Sequence, residues 1–93
     1  MLYVIHALDH PNMINTRALH IDAHRAYAKA ATTIEIAISG PMLADNGTDI
    51  IGSLLIVEAP DRATAEDFAN NDPLNKKGIW RQLDITAFNR RVG

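Results

Sequence analysis

Arg17-Ala-Leu-His20-Ile-Asp-Ala-His24-Arg25 is the densest grouping in this chain of side chains able to move protons near neutral pH. On a helix each residue advances about 100° around the axis, so Arg17, His20 and His24 would share one face. Two kinds of chemistry are open to it. Histidines four apart can reach one zinc ion, but the H-E-x-x-H form places glutamate after the first histidine, and here Ile21 stands there. A third ligand would have to come from His6, His10 or a distant carboxylate, and no spacing demands one, so a metal is not expected, and acid/base chemistry by a histidine needs no cofactor.

The second possibility is a histidine oriented by a carboxylate from another segment. The carboxylate accepts from one ring nitrogen, stabilises the imidazolium and leaves the other nitrogen to act as a base. Asp9, Asp45, Asp49, Asp72 and Asp84 are candidates, and spacing does not choose among them. Asp72, just before Pro73, also has the form of a simple helix N-cap. Against both stands a plainer alternative, a partly buried His24 that fills space and makes one hydrogen bond.

Ser53 follows Gly52, and glycine inside a strand marks the close approach of a ligand or another backbone. The serine equally fits a small hydroxyl at a packed site, and Gly40-Pro41 fits an ordinary turn. No nucleophile elbow, Walker loop or dinucleotide fingerprint is present, so serine acyl transfer and nucleotide chemistry lack support.

The elements that must position these residues follow from periodicity. Leu2 to Leu8 is an apolar, β-branched and aromatic run stopped by Asp9-His10-Pro11, which predicts a strand. Met13 to about Thr32 lacks Gly and Pro and is rich in alanine, which predicts a long helix starting among Pro11, Asn12 and Asn15. Its wheel places Ile21, Tyr27, Ala28 and Ala31 around His24, with Leu19, Ala23, Ala26 and Ala30 nearly opposite. Ile34 to Ser39 alternates, with Ile34, Ile36 and Ile38 on one side, and meets Gly40-Pro41 as a breaker. A long loop over Leu43 to Asp49 leads into Ile50 to Glu58, where consecutive apolar residues want burial on both faces. Asp61 caps a second helix running to about Asn70, Leu74 to Lys77 add a turn closed by Gly78, and Ile79 to Phe88 is the last strand.

The order βαββαβ predicts an α+β, ferredoxin-like arrangement with a four-stranded antiparallel sheet. Two helices cover one sheet face, yet the strands carry apolar residues of both parities: Tyr3 and Ile5 against Leu2 and Val4, Trp80 and Phe88 against Leu83 and Ile85. An uncovered apolar face is an association surface, so a homodimer with sheets packed face to face, a dimeric α/β barrel, is expected.

Ninety-three residues suit one domain spanning 1–93, and with no cysteine, disulfides, thiolate metal sites and a cysteine nucleophile are excluded. At 47% hydrophobic and 22% charged residues the composition is that of an ordinary globular protein. A formal net charge of -2 argues against a nucleic-acid partner. The N-terminal apolar run has no basic flank and ends far short of a membrane span, so a cytoplasmic location is expected.

Met1-Leu-Tyr-Val-Ile, Arg17, Ala23-His24, Ser39-Gly-Pro-Met42, Gly52-Ser-Leu54, Ile56, Glu58-Ala59, Asn71-Asp-Pro73 and Gly78, in this order and nearly end to end, closely resemble the YciI-like (YCII-related) proteins. The resemblance implies the ferredoxin-like fold, the dimeric barrel and a His-Asp dyad formed by His24 and Asp72. It also implies that Gly40-Pro41 and Gly52-Ser53 border a pocket; with a small-molecule substrate there, Arg17 or Ser53 is expected to hold an anionic oxygen. The family includes an enzyme that eliminates chloride from a chlorinated hydroxyquinol, and the wider superfamily includes lactone isomerases and cofactor-free oxygenases. Proton abstraction followed by elimination or isomerisation is therefore the expected reaction type, and a small-ligand-binding dimer without catalysis is the alternative. His20 matches nothing in the pattern, Leu74 replaces a frequent aromatic, and His6 takes a place that is often tyrosine or aliphatic, so either of the last two changes could alter which substrate fits.

Overall fold

Alternation along pleated strands decides which side chains meet the helices. In the computed structural model, which describes residues 1–93, β1 (Leu2–Asp9) buries Tyr3, Ile5 and Ala7 on one face and leaves Leu2, Val4 and His6 half-buried on the other. β3 (Ile50–Glu58) repeats this with Ser53, Leu55 and Val57 buried. With β2 (Glu35–Leu43) and β4 (Trp80–Phe88) they form an antiparallel sheet in the order β2-β3-β1-β4. α1 (Ile14–Ala30), α2 (Arg62–Asn70) and the single turn α3 (Pro73–Lys76) complete the ferredoxin-like α+β fold.

The core lies between the helices and one sheet face. Tyr3, Ile5, Leu55 and Val57 pack with Ala65, Phe68 and Ala69 of α2, joined by Tyr27 and Ala28 of α1. A second cluster of Ala7, Leu74, Ile79 and Trp80 lies at the α3 end. Leu74 is thus a fully buried core residue, so the place where the family often has an aromatic belongs here to the core and not to a pocket wall.

Two irregularities in pairing change which face a residue occupies. Ile36 lies opposite Val57 on the helix side, but a register shift after it sets Ile38 opposite Ile56 on the open side, where Ile38 is 56% exposed. The simple alternation that put Ile34, Ile36 and Ile38 on one side fails there, because an extra residue in one strand reverses the parity beyond it. A shift between Leu8 and Asp9 likewise pairs Trp80 with Asp9 and turns the indole into the core, away from the face that carries Phe88.

Gly40-Pro41 is not a turn. β2 continues through it to Leu43, with Gly40 opposite Leu54 and Pro41 opposite Ser53. β2 is an edge strand, so a proline that cannot donate to the ladder is tolerated. α1 begins at Ile14 after Met13 without a side-chain cap, whereas Asp61 caps α2 by accepting from the Thr64 N–H at 2.8 Å. Gly78, at φ +71°, closes the α3 turn. No helix is long and apolar enough to cross a membrane.

Candidate active site

Residues four apart on a helix stack along one stripe. Arg17, Ile21 and Arg25 do so on α1, with His24 beside them, and they form one wall of a cavity of about 270 Å³. The facing wall comes from β2 and β3 and includes Ser39, Gly40, Pro41 and Ser53. Arg17, His24, Gly40, Pro41 and Ser53 therefore meet around one hollow, although α1 lies far in sequence from the two strands.

Asp72 does not line the cavity; it stands behind His24. His24 Nδ1 lies 2.7 Å from one Asp72 carboxylate oxygen and 2.9 Å from the other. An ionised carboxylate only accepts, so the Nδ1 proton is the donor and Nε2 is the nitrogen not engaged by the carboxylate. The same Asp72 Oδ1 accepts from the Leu74 N–H at 2.8 Å, which makes Asp72 the N-cap of α3. Capping and holding the histidine are thus not alternatives, because one buried carboxylate does both. Of the other aspartates, Asp9 pairs with Arg17, Asp49 and Asp84 accept from Asn46 and Gln82, and Asp45 is exposed.

α1 is anchored again one turn further along. Tyr27 donates to the Phe68 carbonyl at 2.8 Å and stacks on the Phe68 ring with centroids 5.2 Å apart, which ties α1 to α2. Burial, and then the negative charges of Asp72 and Asp67, hold the Tyr27 phenol above its ordinary value. It therefore stays a neutral donor beside the charged carboxylate.

Arg17 is fixed differently. Its Nε and Nη2 donate to the two oxygens of Asp9 at 2.8 and 3.0 Å, and Nη2 also donates to Ser53 Oγ at 2.8 Å. All three side chains are buried. This bidentate pair joins the start of α1 to the end of β1 and sets the Ser53 hydroxyl at the cavity floor. Sequence reasoning kept Asp9 only as a possible partner for histidine, and its nearness to Arg17, eight positions on, was the available signal.

Gly52 is explained by packing. A Cβ there would lie 2.1 Å from the Ala7 carbonyl oxygen, so the close approach is to the β1 backbone, and Gly52 does not line the cavity. His20 and His6 are also outside it, His6 lying on the open sheet face between Leu54 and Asp84. No group of three His, Asp or Glu side chains is arranged to hold a metal ion.

A model of the YCII-related domain matches residues 1–89. Among solved structures, the chain is similar to 5-chloro-2-hydroxyhydroquinone dehydrochlorinase from Burkholderia phenoliruptrix AC1100 in complex with 2,5-dihydroxybenzoquinone. That likeness has a TM-score of 0.84 at 29% identity over 96% of this chain and 94% of the other. No curated protein matches in sequence.

Proposed function

The chain belongs to the YCII-related family, and from that footing we propose that it is a small-molecule-processing enzyme whose His24-Asp72 pair performs general acid/base chemistry. The observation that carries this reading is the geometry of His24: one ring nitrogen is held by a buried carboxylate, the other is not, and the side chain lines a cavity. Nε2 takes a proton from a small, acidic, oxygenated substrate. The electron pair released then expels a leaving group such as chloride or moves a double bond. Asp72 stabilises the imidazolium formed in that step, and the proton leaves from Nε2 to product or water.

The similar dehydrochlorinase, named for a chlorinated hydroxyhydroquinone and solved with 2,5-dihydroxybenzoquinone, supports a hydroxy-aromatic substrate for this chain too. A cavity of about 270 Å³ lies at the small end of ligand sites and suits a single ring. Ser53, held by Arg17, offers a hydroxyl to a substrate oxygen.

The functional unit in this proposal is a homodimer. Leu2, Val4, Leu54, Ile56, Ile38 and Phe88 lie on the sheet face the helices leave open, and a second copy of that face would cover them. Light scattering after size exclusion is expected to give twice the chain mass, and a stable monomer at micromolar concentration contradicts it.

The chemistry is tested by turnover of a panel of chlorinated hydroxyquinols and unsaturated lactones. Turnover of one of them, lost by about 10²-fold or more in His24→Ala, is the expected result. Unchanged activity in His24→Ala overturns the mechanism, and saturable binding across the panel with no turnover favours the ligand-binding dimer.

A further inference from the structure

The charges around the cavity are unequally satisfied. Three of its lining side chains are cationic or can become so, Arg17, His24 and Arg25, and no carboxylate lines it. Two of the three bring a buried acid of their own from outside the wall. Arg17 is matched by both oxygens of Asp9, and His24 by Asp72. Arg25 is not so matched. Its nearest acid is Asp22, one turn back on α1, with Nη1 to Oδ1 at 3.7 Å and side chains 72% and 95% exposed. A contact that long is beyond hydrogen-bond reach, and at that exposure water screens it.

We propose that Arg25 is the charge-recognising residue of this cavity and that the ligand it selects is a small anion. Such a ligand places an ionised oxygen, a carboxylate or an ionised enol or phenol, at the Arg25 end of the wall. The rest of the molecule reaches His24 and Ser53. The expectation that Arg17 holds the anionic oxygen is replaced, because the Arg17 fork is already engaged by Asp9 and Ser53. A planar guanidinium with its donors still available is suited to paired oxygens in a way that Arg17 is not. The net positive wall also favours anion entry over neutral ligands. This assignment deepens the proposed function by naming the substrate's charge class.

The test compares two ring probes of similar size by calorimetry. 2,5-Dihydroxybenzoquinone carries acidic enolic hydroxyls and is an anion at neutral pH, whereas 2,5-dimethoxybenzoquinone is neutral. The wild-type protein is expected to prefer the anion by about tenfold or more, with affinity falling as salt rises. Arg25→Gln is expected to lose about tenfold for the anion, leave the neutral probe unchanged and flatten the salt dependence. Arg25→Lys restores most of the salt dependence, and Asp22→Asn leaves anion binding within about twofold of the wild type, because that contact is long and screened. Equal binding of the two probes by the wild type, binding of neither, or an Arg25→Gln variant that holds the anion as tightly as the wild type overturns the proposal. The readout is binding alone, so it fails separately from the acid/base mechanism, which fails on turnover by His24→Ala.

Discussion

Two acid-base pairs stand seven residues apart on the same helix, and they are built for different ends. Arg17-Asp9 is buried and bidentate, and the guanidinium also donates to Ser53 Oγ. His24-Asp72 has an equally buried acid but a base that is 13% exposed, with one nitrogen free of the carboxylate. A guanidinium cannot give up its proton in a protein, so the first pair can only fix geometry. An imidazole can, so the second pair can also do chemistry. Both acids lie outside the cavity wall, which keeps the pocket free of negative charge. The lesson is that a buried ion pair beside a cavity is not a catalytic sign by itself; what matters is whether its base can exchange a proton and has an atom facing the cavity.

The contrast breaks most visibly at Asp9. Asp9→Ala leaves the Arg17 charge buried without its acid, and a loss of about 3–5 kcal/mol in urea unfolding is expected. Gly52→Ala comes next. The added methyl meets the Ala7 carbonyl, so the β1–β3 ladder must shift beside Ser53, at about 1–3 kcal/mol in the same measurement. The smallest effect sharpens the comparison by isolating capping. Asp61 caps α2 with no histidine attached, and its carboxyl is held below the usual range by the Thr64 hydroxyl and then by the Thr64 backbone N–H. A lowered folded value gives stability that is present above about pH 4, the ordinary carboxylate value, and lost as pH falls through the folded value. Asp61→Ala should therefore lower Tm at neutral pH, with the gap to the wild type closing on acidification in a thermal-melt series.

Much of the fold was legible because turn residues bound the apolar runs of β1 and β3, a stretch free of Gly and Pro marks α1, and a capping Asp61 opens α2. The parts that were not legible have specific causes. Ile38 and Trp80 change face at register shifts, and a single extra residue in a pairing leaves no mark in composition. Pro41 read as a breaker because sequence does not say which strand is at the edge of the sheet. At the site, His24 and Asp72 were paired through family resemblance, since a separation of 48 positions carries no local signal. Arg17 was singled out in the sequence and does line the cavity, but its engagement with Asp9, which leaves Arg25 as the wall's cation without a buried acid, needed the three-dimensional arrangement.

The most direct test of the account is Asp72→Asn, which separates the two duties of that residue. Asparagine caps a helix about as well as aspartate, so α3 and the unfolding midpoint should change little. It cannot stabilise an imidazolium as a carboxylate does, so turnover of the best substrate from the panel should fall by about 10²-fold or more. A folded Asp72→Asn protein that retains wild-type turnover would show that Asp72 is a cap alone and would contradict the central claim.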